Sequence, residues 1–131
     1  MEINIRPFEL GDKHFLYATI LRGIYYGNEF YAQIDQEAYF QAYQLVLDNL
    51  FNKNGVVVRI ACLPEDTSVI LGFAVLEQGV LHYVYVKDAF RKQGLARQLV
   101  AGTEISSVTH ITKPGNAIRK KQRWAFNPFL L

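Results

Sequence analysis

Three segments rich in β-branched residues, joined by two short connections, constrain the fold of this chain more than any other feature. The segments are Val56–Leu63, Val69–Glu77 and Val80–Lys87, and each has the composition and length of a strand. Pro64–Ser68 has the composition of a hairpin loop, and Gln78–Gly79 that of a tight turn. Connections this short join antiparallel neighbours. The sequence therefore predicts a three-stranded antiparallel meander in the middle of the chain.

The segments around the meander carry alternating strand and helix patterns. In chain order they predict a strand at Met1–Pro7, a helix capped by Asp12, a helix from Asp35 to Asn52 and then, after the meander, a helix at Arg91–Gly102, a strand at Ser106–Thr112, a short helix from Asn116 to Arg123 and an extended segment at Trp124–Leu131. The aromatic segment from Asn28 to Ile34 fits neither pattern. The order β-α-α-β-β-β-α-β-α predicts an α/β fold, an α+β arrangement around a mixed sheet.

Length and composition limit the class of protein. The 131 residues leave room for one domain, residues 1–131, and 50% apolar with 20% charged residues excludes disorder as the dominant state. Cys62 is the single cysteine, so an intrachain disulfide is excluded and the cytoplasm is the expected location. No apolar stretch approaches the ~20 residues of a membrane span. Met1–Arg6 lacks the pattern of a signal peptide. We expect a cytoplasmic protein without a membrane partner.

The charge is divided unevenly along the chain. Residues 1–88 contain six Lys or Arg against eleven Asp or Glu, whereas residues 89–131 contain eight basic residues against one acid, Glu104. A basic C-terminal third favours a partner that carries phosphate. Both a nucleotide cofactor and a nucleic acid satisfy that description. The basic run Arg119–Arg123 beside Trp124 could contact a nucleic-acid backbone, although a solvated helix face is the favoured interpretation.

Residues 81–100 carry the most informative pattern. A strand runs into a basic loop with one glycine and then directly into a helix. Gly94 allows close approach of the backbone or a positive φ. Free N–H groups at the start of the helix, with Arg91, Lys92 and Arg97 nearby, would attract an anion. The alternative is an ordinary strand–turn–helix with solvated arginines.

The motif Arg91-x-x-Gly94-x-Ala96, after a strand that ends at Val84-Tyr-Val86, resembles the acetyl-CoA-binding motif of the GNAT superfamily of N-acetyltransferases. The opening Ile5-Arg6-Pro7-Phe8-Glu9 is also similar to that of many members. The small size and the ending Trp124–Phe129 are similar to small GNAT-like proteins of tailed bacteriophages. The resemblance implies a GNAT-like acyl-CoA N-acyltransferase fold with a shortened C-terminus.

The resemblance also implies acetyl-CoA as the acetyl donor. Backbone groups of the fourth strand would pair with the pantetheine amides, and N–H groups of the following loop would hold the pyrophosphate. The cofactor-binding residues implied are Val84, Tyr85, Val86, Arg91, Lys92, Gln93, Gly94, Leu95, Ala96, Arg97 and Asn116.

Two residues are candidates for the proton chemistry that acetylation of an amine requires. His82 lies on the fourth strand, where some GNAT members place a histidine base, and Glu77 could act instead through a water. A structural role for His82 beside Tyr83 and Tyr85 is the other interpretation. The helix from Asn116 lacks the tyrosine that often serves as the acid. His14, His82 and His110 lack metal-ligand spacing, so no metal is expected.

The short segment after the last helix departs from the family pattern. Members continue with two further strands that wall the acceptor pocket, whereas Trp124–Leu131 suffices for one. The acceptor side should therefore be open, which suits a macromolecular amine, or be completed by a second copy in a homodimer. The function expected is acetyl transfer to an unidentified amine. The alternative is a non-catalytic protein of the same fold that binds protein or nucleic acid through its basic C-terminal third.

Overall fold

The computed structural model describes residues 2–111 and 113–131, without the side chains of residues 113–115 and 117. Its six strands form one mixed sheet in the order β1-β2-β3-β4-β5-β6. The strands are β1 (Asn4–Pro7), β2 (Val57–Cys62), β3 (Ile70–Glu77), β4 (Val80–Val86), β5 (Ser107–Val108) and β6 (Ala125–Phe126). Strands β1 to β4 pair antiparallel, while β5 is parallel to β4 and β6 is parallel to β5. The predicted meander and the mixed α/β class are confirmed.

In the described residues, five α-helices accompany the sheet. They are α1 (Lys13–Gly27), α2 (Glu29–Ala32), α3 (Gln36–Phe51), α4 (Leu95–Leu99) and α5 (Lys113–Gln122). The aromatic segment that fitted neither pattern contains α2, which begins after Asn28, whose side chain accepts from the N–H of Phe30. Asp35 caps α3 as predicted, since its carboxylate accepts from the N–H of Ala38. None of the helices in the described residues is long and apolar enough to cross a membrane.

The sheet is buried on both faces. Helices α1 and α3 cover one face, where Leu16, Leu47 and Phe73 are fully buried, and α4 covers the other, where Leu99 is fully buried. Strand β3 lies between them and is buried at seven of its eight positions. A strand covered on both faces is apolar along its whole length instead of alternating. This explains the continuous apolar run at Ile70–Leu76.

The predicted helix at Arg91–Gly102 is wrong in its extent, because helix α4 comprises only Leu95–Leu99. Lys92 and Gly94 have φ of 63° and 82°, and the right-handed helix excludes such values. The helix ends before Gly102, whose φ is 79°. The sequence pattern identified apolar positions at helical spacing but carried no signal for the positive φ of Lys92.

The predicted strand at Ser106–Thr112 is also too long, since only Ser107–Val108 pairs with β4; Thr112 lies outside the described residues. Asn116 does not cap the last helix, because α5 begins at Lys113 and contains it. Asp12 occupies the position before α1 without capping it. Its carboxylate instead accepts two hydrogen bonds of 2.8 Å from the Arg6 guanidinium.

A β-bulge interrupts the pairing of β3 with β4. Val75 lies opposite Tyr83 and Leu76 lies opposite Leu81, which leaves His82 as an extra residue on β4. The carbonyl groups of both Leu81 and His82 consequently point toward β5, where they accept from the N–H of Thr109 and from Nδ1 of His110. The bulge places His82 where the site described below is built.

Gly23 of α1 allows the fourth strand to approach the helix. A Cβ added at Gly23 would lie 1.9 Å from the Tyr83 hydroxyl oxygen. The Tyr83 ring is stacked on Phe73 with 6.1 Å between centroids, so it has little room to move. We expect Gly23→Ala to destabilise the protein by roughly 1–2 kcal/mol, although alanine normally stabilises a helix relative to glycine by about 1 kcal/mol. Denaturant unfolding measures the difference.

Tyr83→Phe removes the clashing oxygen and should recover most of the loss in the Gly23→Ala background. Gly11→Ala is the matched control, because nothing lies within 4 Å of a Cβ at that position. A Gly23→Ala variant as stable as the original would show that α1 and β4 do not pack this closely.

Candidate active site

Strands β4 and β5 separate after two paired positions. Val80 lies opposite Ser107 and Leu81 opposite Val108, and the described residues form no further ladder between the two strands. On the other side, β4 remains paired with β3 as far as Val86. The parallel strands thus open a gap toward the C-terminal end of β4.

The backbone of the second half of β4 faces this gap. Lys87 donates to the carbonyl of Leu71, and hydrogen-bonding directions alternate along an antiparallel ladder. The amide and carbonyl groups of Val84 and Val86 therefore point away from β3. Tyr85 lies between them and forms its backbone bonds with β3. Of the three strand residues predicted to bind a cofactor through their backbone, Val84 and Val86 have the required direction and Tyr85 does not.

The loop after β4 is held by a hydrogen bond from its own arginine. Nε of Arg91 donates to the carbonyl of Val86 at 2.9 Å, and the Arg91 guanidinium forms an ion pair with Asp88. Lys92 and Gln93 are exposed. Gly94 is also exposed, and nothing lies within 4 Å of a Cβ built on it. The loop presents backbone and cationic side chains to open space.

Helix α4 follows this loop and is fixed by its apolar side. Leu95 and Leu99 are buried, whereas Ala96 is half-buried and Arg97 exposed. The short helix therefore keeps Arg97 on the outside, close in sequence to Gly94. Asn116, the remaining predicted cofactor residue, accepts two hydrogen bonds from Arg119 through its Oδ1.

The structure brings the two predicted catalytic residues into contact. Nε2 of His82 lies 2.9 Å from Oε1 of Glu77, and Nζ of Lys53 lies 3.0 Å from the same oxygen. His82 is 1% exposed, while the Glu77 side chain is 20% exposed and lines an open cavity of about 610 Å³. That cavity does not include the strand and loop residues predicted to bind a cofactor.

The protonation of this pair follows from its surroundings. Burial lowers the pKa of His82 below its usual value, and the carboxylate of Glu77 offsets this only in part. Partial burial would raise the pKa of Glu77, but hydrogen bonds from His82 and Lys53 hold it below its usual range. At neutral pH His82 is therefore a neutral imidazole beside a carboxylate. Because a carboxylate only accepts, the proton of His82 is on Nε2.

Thr109 and His110, which the sequence reasoning did not select as site residues, complete the arrangement. Oγ1 of Thr109 lies 3.0 Å from Nδ1 of His82 and 3.0 Å from Nδ1 of His110. Nδ1 of His110 also lies 2.9 Å from the carbonyl oxygen of His82. The signal available in the sequence was a Thr-His pair near the end of a β-branched strand beside a strand that carries His82.

Aromatic side chains surround His110. Its ring meets Tyr43 of α3 and Tyr83 of β4 edge to face, with centroid distances of 5.9 Å and 6.5 Å. The Tyr43 hydroxyl lies 2.5 Å from Nε2 of His110, and Tyr31 packs against Tyr43 at 5.7 Å. Burial lowers the pKa of His110 to about 4, so this imidazole is also neutral. In the described part of the chain no three His, Cys, Asp or Glu side chains are grouped to hold a metal ion.

No protein-family model matches the chain, and no curated protein matches its sequence. Solved structures do match. An archaeal protein from Pyrococcus furiosus, assigned as an acetyl transferase, superposes with a TM-score of 0.70 at 14% identity over 96% of this chain and 95% of the other. AAC(6')-Iy in complex with the bisubstrate analogue CoA-S-monomethyl-acetylneamine gives 0.54 at 18% identity over 97% and 92%. A GNAT-family acetyltransferase from Staphylococcus aureus gives 0.51 at 22% over 76% and 61%.

At these identities the similarity establishes the fold. The chain has the fold of the GNAT acetyltransferases. Its own mixed sheet opens between the fourth and fifth strands. The fold implied by Arg91-x-x-Gly94-x-Ala96 is thereby confirmed.

The neutral imidazoles predict a loss of stability on mild acidification. Histidine in an unfolded chain has a pKa near ~6.5, whereas the pKa of His110 is about 4, so between these values the unfolded chain binds a proton that the native protein does not. The contribution of His110 to the free energy of unfolding should therefore be fully present above pH ~6.5 and decrease as the pH is lowered below that value. We expect a loss of about 2 kcal/mol from His110 between pH 7 and pH 5, measured by urea unfolding.

His110→Asn, which keeps a side-chain donor, should reduce this dependence. His14→Asn is the control, since His14 is exposed on α1. An unchanged slope in His110→Asn would mean that His110 is not held neutral in the native protein.

Proposed function

We propose that this protein is an N-acetyltransferase that binds acetyl-CoA in the gap between β4 and β5 and transfers the acetyl group to an amine. The observation that carries the proposal is the opening of the sheet after Leu81, which leaves the amide and carbonyl groups of Val84 and the amide of Val86 directed into the gap. The Val86 carbonyl also faces the gap, where it accepts from Nε of Arg91. Structures of the same fold include a complex with a CoA bisubstrate analogue.

The residues present fit this cofactor. An extended chain with amide groups, such as pantetheine, can pair with the free side of β4 as an added strand would. Beyond the strand, the exposed loop Arg91–Gly94 offers cationic side chains and unobstructed backbone to a pyrophosphate. We assign Lys92, Gln93, Gly94, Leu95, Ala96 and Arg97 to this contact, mainly through backbone N–H groups. Arg91 joins it through its charge, and the family resemblance adds Asn116 of α5 to the proposed cofactor site.

When bound, acetyl-CoA supplies an activated acyl group, and the protein must supply the rest. A lysine-type amine has a pKa near ~10.4, so it must lose a proton before it can attack. The N–H of Val84 is directed toward the gap, where it can donate to an oxygen on which negative charge develops.

Glu77 and His82 are proposed as the acceptor of that proton. His82 is neutral and touches a carboxylate that Lys53 keeps ionised. The pair lies beside the bulge from which β4 begins to separate from β5. A neutral imidazole backed by a carboxylate is a base able to act near neutral pH.

The acceptor is proposed to be a macromolecular amine. The paired part of β6, Ala125–Phe126, is two residues long and both are exposed, which supports an acceptor side open to a large substrate. A second copy could complete it in a homodimer. A cytoplasmic location and a phage origin stay predictions.

Thermal unfolding with acetyl-CoA tests the cofactor site. A ligand at 100 times its Kd stabilises by about 2.7 kcal/mol, which corresponds to a Tm increase on the order of 5–10 °C for a domain of this size. Gly94→Glu should abolish the shift, because it places a carboxylate where the pyrophosphate is expected. Isothermal titration with acetyl-CoA measures the same loss directly.

Gly55→Glu is the matched control. Gly55 has φ of 89°, close to the 82° of Gly94, is exposed and has nothing within 4 Å of an added Cβ. The substitution therefore imposes a similar positive-φ penalty at a position outside the proposed cofactor site. A shift retained in Gly94→Glu would remove this loop from the site. A wild-type protein that does not respond to millimolar acetyl-CoA would overturn the proposed function and favour the non-catalytic alternative.

His82→Gln tests the proton acceptor. Glutamine can replace the hydrogen bonds of His82 but cannot take up a proton at neutral pH. We expect release of CoA in the presence of a panel of peptide amines to fall about 100-fold, with the Kd for acetyl-CoA unchanged. His14→Gln provides the exposed control, and equal turnover in His82→Gln would leave His82 with a structural role only.

A further inference from the structure

A continuous chain of hydrogen bonds connects helix α3 with the end of β3. In order it comprises Tyr43, His110, Thr109, His82 and Glu77. The successive distances are 2.5 Å from the Tyr43 hydroxyl to Nε2, 3.0 Å from Nδ1 of His110 to Oγ1, 3.0 Å from Oγ1 to Nδ1 of His82 and 2.9 Å from Nε2 to Oε1. It crosses the point where β4 and β5 separate.

Every donor in this series of hydrogen bonds donates in the direction of Glu77. The proton of His82 is on Nε2, so its Nδ1 must accept the hydroxyl proton of Thr109. The Thr109 oxygen can then only accept. Nδ1 of His110 faces this oxygen and the carbonyl of His82, two acceptors, and must carry the proton. Its bare Nε2 accepts from the Tyr43 hydroxyl.

We propose that Tyr43, His110, Thr109, His82 and Glu77 form a proton relay between the gap and the surface at Glu77. This inference rests on the proposed acetyl transfer. When the Tyr43 oxygen takes up a proton from the gap, the original Tyr43 hydroxyl proton passes to Nε2 of His110, and the proton on Nδ1 of His110 passes to Oγ1 of Thr109. The Thr109 hydroxyl proton passes to Nδ1 of His82, and the proton on Nε2 of His82 passes to the carboxylate of Glu77. Each step forms one bond to hydrogen and breaks one.

The relay also runs in reverse. Acetylation of an amine removes a proton from nitrogen and requires one for the departing thiolate. The reverse sequence returns the proton from Glu77 to the gap and restores both original imidazole tautomers. The relay thus supplies the acid that is missing from α5, and Thr109 and His110 act as positioning residues that conduct the proton.

The groups around the relay support this direction. Lys53 pairs with Glu77 at 3.0 Å and keeps it ionised, ready to accept. Tyr31 and Tyr39 pack against Tyr43, and Tyr83 packs against His110, so uncharged side chains surround the inner end. Among the described residues, the charged groups next to the relay are Lys53 and Glu77, which lie at its surface end.

Thr109→Val tests the relay with Thr109→Ser as its matched control. Valine has the shape of threonine without the hydroxyl, and serine keeps the hydroxyl. Nitrogen-15 NMR of the imidazoles should show His82 protonated on Nε2 and His110 on Nδ1 in the wild type and in Thr109→Ser. Turnover in Thr109→Val should fall about tenfold or more, with Kd for acetyl-CoA unchanged, while Thr109→Ser stays within about twofold.

Glu77→Gln is a second variant in case Thr109→Val does not fold. Glutamine at this partly exposed position can still accept from His82 but cannot take up a proton, so the relay predicts the same loss of turnover and a structural role predicts none. A proton on Nδ1 of His82, or equal turnover in the interrupted and control variants, would overturn the relay. A wild type without turnover would contradict the proposed acetyl transfer. The imidazole tautomers would then still show whether all hydrogen bonds of the relay donate toward Glu77.

Discussion

The hydrogen bond from Nδ1 of His110 to the carbonyl of His82 is the interaction on which the site depends. Successive carbonyls of a regular strand point to opposite neighbours, so a regular parallel ladder would supply a backbone N–H of β5 to Leu81 but not to His82. Here an imidazole takes the place of the backbone donor, so the sheet can open without leaving a buried acceptor unpaired. The bulge at His82 turns the carbonyl toward β5 in the first place.

The same few residues thereby serve the backbone and the proposed chemistry. His82 contributes its carbonyl to the opening and its ring to the contact with Glu77. Gly23 lets Tyr83 lie against α1, which positions the strand that carries His82. Strand β4 thus joins the packing on the α1 face to the groups at the gap through two neighbouring residues, Tyr83 and His82.

Much of the fold could be predicted from the sequence because it depends on local composition. The β-branched runs and short connections indicate the meander, and Gly94 indicates the loop before α4. The bulge could not be predicted, since an extra residue in β4 changes neither composition nor alternation enough to be seen. Thr109 and His110 were missed for a related reason: their role depends on β5 ending at Val108, which is a property of the tertiary structure. His82 and Glu77 were selected separately, and only the structure brings them together.

Arg91 already has partners within its own loop, the carbonyl of Val86 and the carboxylate of Asp88. A polyanion that recruits this guanidinium must therefore exchange one ion pair for another, and because the existing pair is exposed to solvent, the exchange costs little. The release of Asp88 adds a negative charge close to the incoming phosphate. In the proposed site, a compact pyrophosphate would therefore compete with Asp88 for Arg91 more effectively than a single carboxylate would.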